Sequence, residues 1–306
     1  LGLKAALANA LDRRPALQFS ADWLVLREKL DQQARNRVLA EALAGRLKEH
    51  PHLLDLGAGT GSLFRFMAPI IGRPQTWIFA DADETLLHAA VERTAEWGER
   101  NGLEVISRQR PGKLSLSLGT STGKWHIETL VTDLGQVPHG LPLDGVDAVV
   151  CSALLDLTSR AWMARLFAVL RVPFYAGMSV NGHDAWVPRH SADRVVRTAF
   201  RRDQRRDKGL GSALGNDSGD TALRLLADLG FQTRKAASDW RIPGSARTVT
   251  RRLAQMTSSS ALQSMPALTG KIAEWTSARL RQAAKGRLSI RIGHFDTLGF
   301  PPDGQT

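Results

Sequence analysis

The chain has one cysteine in 306 residues, Cys151. A single thiol excludes an internal disulfide and any cysteine-built metal cluster, and it makes a reducing cytoplasm the simplest compartment. No apolar run reaches the ~18 residues that a membrane-spanning helix needs, so no membrane span is expected. The N-terminus lacks a basic stretch followed by an apolar one, so no secretory signal is expected either. The eight histidines show no H-x-x-x-H pairing, and no metal site is expected. No internal repeat is visible. Blocks of like charge are also missing, although the net charge is +11. That excess sits in scattered arginines. It favours anionic partners such as nucleic acid or an acidic small molecule, with a solvated basic surface as the alternative. A chain of this length holds one large domain, or one domain and a cap.

The segment Leu53-Leu54-Asp55-Leu56-Gly57-Ala58-Gly59-Thr60-Gly61-Ser62-Leu63 carries the strongest signal. It reads as a buried strand, a tight glycine turn and a helix start. Glycine is required where φ is positive or where a ligand lies against the backbone. A second apolar strand, Thr76–Ala80, ends at Asp81. An acid at that place can accept hydrogen bonds from both hydroxyls of a ribose. The glycines run G-x-G-x-G with an aspartate before them, not the G-x-G-x-x-G of a dinucleotide site. A carboxylate at Asp55 would repel a pyrophosphate but can anchor a cationic amino acid moiety.

With these residues the sequence resembles the class I S-adenosylmethionine-dependent methyltransferases, whose first motif has the form [V/L]-L-D-[L/V]-G-x-G-x-G. The resemblance implies an α/β fold: a doubly wound, mostly parallel, Rossmann-like sheet of seven strands. It implies S-adenosylmethionine as cofactor, with Asp55, Gly57, Gly59 and Gly61 around its methionine part and Asp81 on its ribose. An acid and an apolar residue after the third strand read the adenine in this family, and Asp133 and Leu134 match that place. Asp133 could instead open a turn into Gly135. The resemblance covers roughly residues 50–300.

Around that centre, residues 1–50 read as a helical extension without a breaker between Asp22 and Gly45. Residues 51–300 form the cofactor-binding domain, with helical insertions near 188–220 and 245–286. Glu84–Arg100 is a helix. Leu103–Arg110 and Trp125–Thr129 look extended around a turn rich in Gly, Ser and Thr. The fourth strand, Val146–Cys151, runs into Ser152 and Asp156, where substrate chemistry usually sits and where Ser152 would border the cofactor. This place lacks the Asn/Asp-Pro-Pro-Tyr/Phe of amide and adenine N-methylases. Cys151 lacks the neighbouring proline of cytosine-C5 enzymes and reads as a buried apolar thiol. Asp156 orients a substrate or caps the helix Thr158–Leu170. The fifth strand is Val172–Val180, followed by a loop through Asp184. In the basic helix Asp193–Lys208, the residues Arg201, Arg205 and Lys208 share a stripe with Arg194 and Arg197. The stripe faces solvent or an anionic substrate. The loop Gly209–Gly219 is a lid or a plain connection. Helices Ala246–Thr257 and Ala267–Lys285 separate the sixth strand from the last, Arg287–Phe295.

The implied activity is methyl transfer to a polar or anionic small molecule. RNA methylation, suggested by charge, is one alternative, and a catalytically silent partner protein is another. If the acceptor must lose a proton, Asp156, His183 and His190 are the candidate bases.

Overall fold

The computed structural model describes residues 20–110 and 113–302. The part of the expected N-terminal helix on residues 1–19 lies outside them. Short runs rich in branched and aromatic residues form the centre of one sheet. Strands β1 (His52–Leu56), β2 (Gln75–Asp81), β5 (Gly123–Val131), β6 (Ala148–Ser152) and β7 (Phe174–Val187) are parallel, in the order β5-β2-β1-β6-β7. Beyond β7, β10 (Ser289–Phe300) runs antiparallel between β7 and β8 (Gln232–Ala237). The chain steps from β1 to β2 on one side, and β6 lies on the other. This switch point opens a crevice at the carboxyl ends of the strands.

Among the described residues the sheet has ten strands rather than the expected seven. A hairpin of β3 (Glu104–Arg110) and β4 (Lys113–Thr120) extends it beside β5, and β9 (Trp240–Ile242) pairs with β10. The stretch expected to be a turn is therefore mostly β4. Its leucines Leu114, Leu116 and Leu118 alternate with serines, and Leu116 and Leu118 are fully buried. The period of two outweighs the turn-like composition.

The N-terminal helix is also not continuous. It divides into α1 (Ala21–Ala34) and α2 (Arg37–Ala44). Arg35 is extended, with φ −51° and ψ 137°, and the Asn36 side chain caps α2 by accepting from the Leu39 N–H. Asparagine at an N-cap satisfies a donor the helix cannot, which makes a break there inexpensive.

Helices α3 (Ser62–Ile71) and α4 (Glu84–Arg100) join α2 in a core on one sheet face, around Phe64, Trp77 and Phe79. On the other face α5 (Arg160–Val169) and α7 (Ser218–Asp228) pack around Trp162, Phe167 and Phe174. A third core joins α1 to α6 (Asp193–Gln204), α8 (Arg247–Ser264) and α9 (Thr269–Ala284), with Trp23, Trp186, Trp240 and Trp275 in it. This cap is carried by long strands. β7 does not stop at Val180 but continues through the expected loop to Val187, and Trp186 pairs with Ile290 of β10.

Candidate active site

The turn after β1 has its three glycines at φ 65°, 54° and 77° (Gly57, Gly59, Gly61), a region where a side chain is strained. Space is also short. A Cβ on Gly59 would lie 3.2 Å from Leu24 Cδ1 of α1, and one on Gly57 would lie 3.3 Å from Leu154 Cδ1. The turn is thus held between α1 and the exit of β6. Asp81, at the end of β2, accepts from the Gly59 N–H at 2.9 Å and the Asp83 N–H at 3.0 Å. Burial raises its pKa, and those backbone bonds oppose the rise.

A cavity of about 600 Å³ opens over the turn. Asp55, Gly57, Gly59, Asp81, Asp133, Leu134 and Ser152 all line it, whereas Gly61 is the N-cap of α3 and does not. Both Asp55 carboxylate oxygens are buried without a hydrogen-bond partner. Desolvation pushes its carboxyl well above the usual range, against the pull of Arg35 and with a further push from Asp81. An unmatched buried carboxylate is costly, and a cationic group in the cavity would relieve it. Asp133 borders the cavity and accepts from the Gly135 N–H at 2.8 Å, which opens the next turn.

Nothing local in the sequence marks Arg35, the residue at the helix break. It is buried and lines the same cavity. It donates to the Ser62 carbonyl (3.2 Å), Ser62 Oγ (3.1 Å) and Ser152 Oγ (3.0 Å), and its Nε is unmatched. A guanidinium and a carboxylate bordering one cavity complement the two charges of an α-amino acid.

A second cavity, of about 490 Å³, lies under the cap. Arg27, Ala153, Leu157 and Lys208 border both chambers. At this junction two non-glycine residues have positive φ: Ala153 (53°) after β6 and Met178 (59°) in β7. Such strain persists only where packing over-determines it and is concentrated at functional sites. Asp156 lines the second cavity, and its Oδ1 is buried and unpartnered. Burial lifts its pKa to about 6, opposed by a backbone hydrogen bond, Arg27 and Lys208. It does not cap the following helix; Ser159 does, accepting from the Trp162 N–H.

The other expected residues separate. His183 lines the second cavity, its backbone N–H donating to Asn181 Oδ1. His190 borders neither cavity; its Nδ1 accepts from the Ala192 N–H and its Nε2 is 4.0 Å from Glu274. His294, which the sequence did not single out, lines the second cavity with its pKa lowered to about 4 by burial. Cys151 is buried, and desolvation with the Asp55 and Asp156 charges pushes its thiol well up, so a thiolate nucleophile is disfavoured.

The arginine stripe is largely spent inside the protein. Arg197 meets Asp184 at 2.6 Å, and Arg201 donates to the Gly182 carbonyl with Asp184 3.8 Å away. Arg205 pairs with Asp217 at 3.0 Å and lines neither cavity. Lys208 borders both cavities and makes no ion pair among the described residues.

No family model and no curated protein matches this chain. Solved structures resemble it at low identity. A SAM-dependent methyltransferase of Geobacter sulfurreducens with S-adenosyl-L-homocysteine is 15% identical over 90% of this chain and 98% of its own, with a TM-score of 0.41. A phosphoethanolamine N-methyltransferase 2 of Haemonchus contortus is 13% identical over 96% of this chain and 60% of its own, at 0.43. A structure described as a candidate type II methyltransferase of Anaeromyxobacter dehalogenans is 16% identical over 87% and 96%, at 0.47. A parallel sheet with an antiparallel β10 inserted before β8, a glycine turn after β1 and an acid closing β2 give this chain the class I S-adenosylmethionine-dependent methyltransferase fold.

Proposed function

We propose that the protein transfers a methyl group from S-adenosylmethionine to a small molecule held in the second cavity. The observation that carries this reading is the junction of two chambers at Ala153 and Leu157. One chamber has the glycine turn and the buried Asp55, neither of whose oxygens is hydrogen-bonded; the other has Asp156, whose Oδ1 is buried without a partner. Both volumes fall in the range of ligand sites.

The residues of the first chamber suit the cofactor. Asp55 would take its ammonium group, Arg35 its carboxylate, Asp81 its ribose, and Asp133 and Leu134 its adenine. The cofactor supplies an activated sulfonium methyl. The protein then has mainly to align the acceptor atom with it, which is where orientation contributes most. Ala153 and Leu157 form the passage between the reactants. Asp156, beside that passage, takes a proton from the acceptor where one must be lost. An anionic group on the acceptor would find Lys208 before the arginine stripe, where Arg197 and Arg201 share Asp184 and Arg205 meets Asp217. We assign the protein to the 51–300 catalytic unit with its cap, and the helices α1 and α2 to closing the cofactor chamber.

The test is transfer of labelled methyl from S-adenosylmethionine into a host extract separated into small-molecule, protein and nucleic-acid fractions. Label in the small-molecule fraction is the expected result. Nuclease-sensitive label would establish RNA methylation instead. Cofactor binding without any transfer would favour a silent partner protein.

A further inference from the structure

Three tryptophans of the second cavity share one arrangement. Trp240 donates its indole N–H to Asp31 (3.0 Å), which Arg27 also grips at 3.0 Å. Trp186 donates to Asp184 (3.0 Å), which Arg197 grips at 2.6 Å. Trp275 donates to Asp193 (2.7 Å), which Arg279 grips. All three rings are buried and line the cavity. Each carboxylate is matched by a guanidinium, and each indole donor is consumed by a carboxylate. What these rings leave for a ligand is carbon surface. Asp203 is likewise paired with Arg206, and Asp207 accepts from the Gly209 and Gly211 N–H groups. Among the described residues, Asp156 and Lys208 line the cavity without an ion pair, and both stand near the passage to the cofactor chamber.

We propose that the acceptor is a hydroxylated aromatic compound, with its ring against the tryptophan walls and its hydroxyl between Asp156 and Lys208. This rests on the second cavity being the acceptor site. An ammonium acceptor would be opposed by Lys208 and by the sulfonium charge; a carboxylate or phosphate would be opposed by Asp156. A neutral, acidic O–H uses both charges. Its proton passes to the Asp156 carboxylate while Lys208 stabilises the charge growing on oxygen. The oxygen lone pair forms the new bond to the methyl carbon, the carbon–sulfur pair returns to sulfur, and the products are an aryl methyl ether and S-adenosylhomocysteine. Asp156 then releases its proton to water. An aromatic hydroxyl ionises near pH 10, as tyrosine does, which is within reach of such a base; an aliphatic hydroxyl is not. Tryptophan walls favour flat rings through offset and edge contacts.

The test uses the full chain, labelled S-adenosylmethionine and four acceptors of one skeleton: 2-naphthol, 2-naphthylamine, 2-naphthoate and decahydro-2-naphthol. Calorimetry with each acceptor and with S-adenosylhomocysteine gives binding independently of turnover. The expected result is methylation of 2-naphthol alone, to 2-methoxynaphthalene. Asp156→Asn should bind 2-naphthol within about threefold of the parent yet transfer ~100-fold more slowly. Transfer should recover as the pH approaches that at which the acceptor ionises unaided. The charged and titratable groups acting with Asp156 there are Arg27, Lys208 and Cys151. Trp240→Leu should weaken 2-naphthol binding at least tenfold. Should that variant fail to fold, Phe200→Leu, on the cavity wall from α6, reads the same contact. S-adenosylhomocysteine binding with label in the amine, the carboxylate or the decahydro compound would overturn the aromatic assignment and leave methyl transfer standing. S-adenosylhomocysteine binding with no calorimetric binding of 2-naphthol would do the same. No binding of S-adenosylhomocysteine would remove both.

Discussion

Glu28 of α1 and Arg65 of α3 meet in a two-pronged ion pair, at 2.6 and 2.7 Å, under the helix that crosses the glycine turn. Both are buried, and Arg65 also donates to the Thr60 carbonyl and to Thr94 Oγ1. Burial lowers the Arg65 pKa, and Glu28 opposes that. Removing one partner strands the other charge and costs about 3–5 kcal/mol. Glu28→Ala should lower the melting temperature, expose α1 to proteolysis and weaken S-adenosylhomocysteine binding at least tenfold. A protease-resistant α1 in the variant would show that the pair does not hold the helix.

Asp55 should separate affinity from stability. Its unmatched carboxylate is destabilising when empty and becomes a charge-assisted partner when an ammonium arrives. Asp55→Asn should raise the melting temperature of the free protein at pH 7. It should also weaken cofactor binding by the ~1.5–3 kcal/mol of one charged hydrogen bond, or roughly 10–150-fold by calorimetry. Unchanged affinity would place the ammonium elsewhere.

Asp156 and His294 act on stability with the same net sense as Asp55 and an opposite one. With the Asp156 carboxyl raised from 3.8 to about 6, the folded protein holds more protons than the unfolded chain in that window. Stability therefore falls as pH rises through it. Asp156→Asn should recover up to roughly 3 kcal/mol at pH 7.5 and almost none at pH 3.5. His294, lowered from 6.5 to about 4, does the reverse: stability is lost as pH falls from 6.5 toward 4. His294→Gln should flatten that acid limb in a melting series. The parent's transfer rate should rise through pH 6 and level off, since the base works deprotonated.

Asp296, fully buried, accepts from the Tyr175 hydroxyl (2.7 Å), the Met178 N–H (2.8 Å) and the Asn36 N–H (2.7 Å). It ties the start of α2 and the strained Met178 to β10. Tyr175→Phe removes one bond to a charged acceptor and should cost about 1.5–3 kcal/mol in denaturant unfolding, with little change in cofactor affinity. Asp296→Ala, leaving three donors unmet, should cost more.

The arginine stripe gives a contrast. Lys208→Met should raise the acceptor KM far more than the cofactor Kd. Arg205→Ala, whose partner Asp217 is exposed with it, should change stability by under ~1 kcal/mol and leave both constants alone. Equal effects from the two would return the anion role to the stripe.

The cavity over the glycine turn was far more legible than the cavity under the cap, for a physical reason. Gly57, Gly59, Asp55 and Asp81 are close in sequence, and a positive-φ turn beside a strand-end acid leaves few residue choices, so their types show in the sequence. The wall of the second cavity gathers Trp23, Trp186, Trp240 and Trp275 from four distant segments, and nothing local marks a tryptophan as lining a cavity. Arg35 was hidden because only the break at Asn36 turns it inward. β4 was missed although its leucines alternate, because serine and glycine lent it the composition of a turn. The expected basic helix ends at Gln204, so Arg205 and Lys208 fall past α6, and the partners Asp184 and Asp217 lie outside the helix, where periodicity does not reveal them.

The long outer ends of β7 and β10 carry one further consequence. Past the sheet proper they pair with each other and with β9 to hold the cap, while the glycine turn sits on β1 at the middle of the sheet. The cap and the glycine turn are therefore carried by different strands. On the proposed function, mutational drift under the cap can exchange one acceptor for another without disturbing the turn. Directed evolution toward new acceptors should accordingly accumulate its changes in α6, α8 and α9, and leave residues 53–63 untouched.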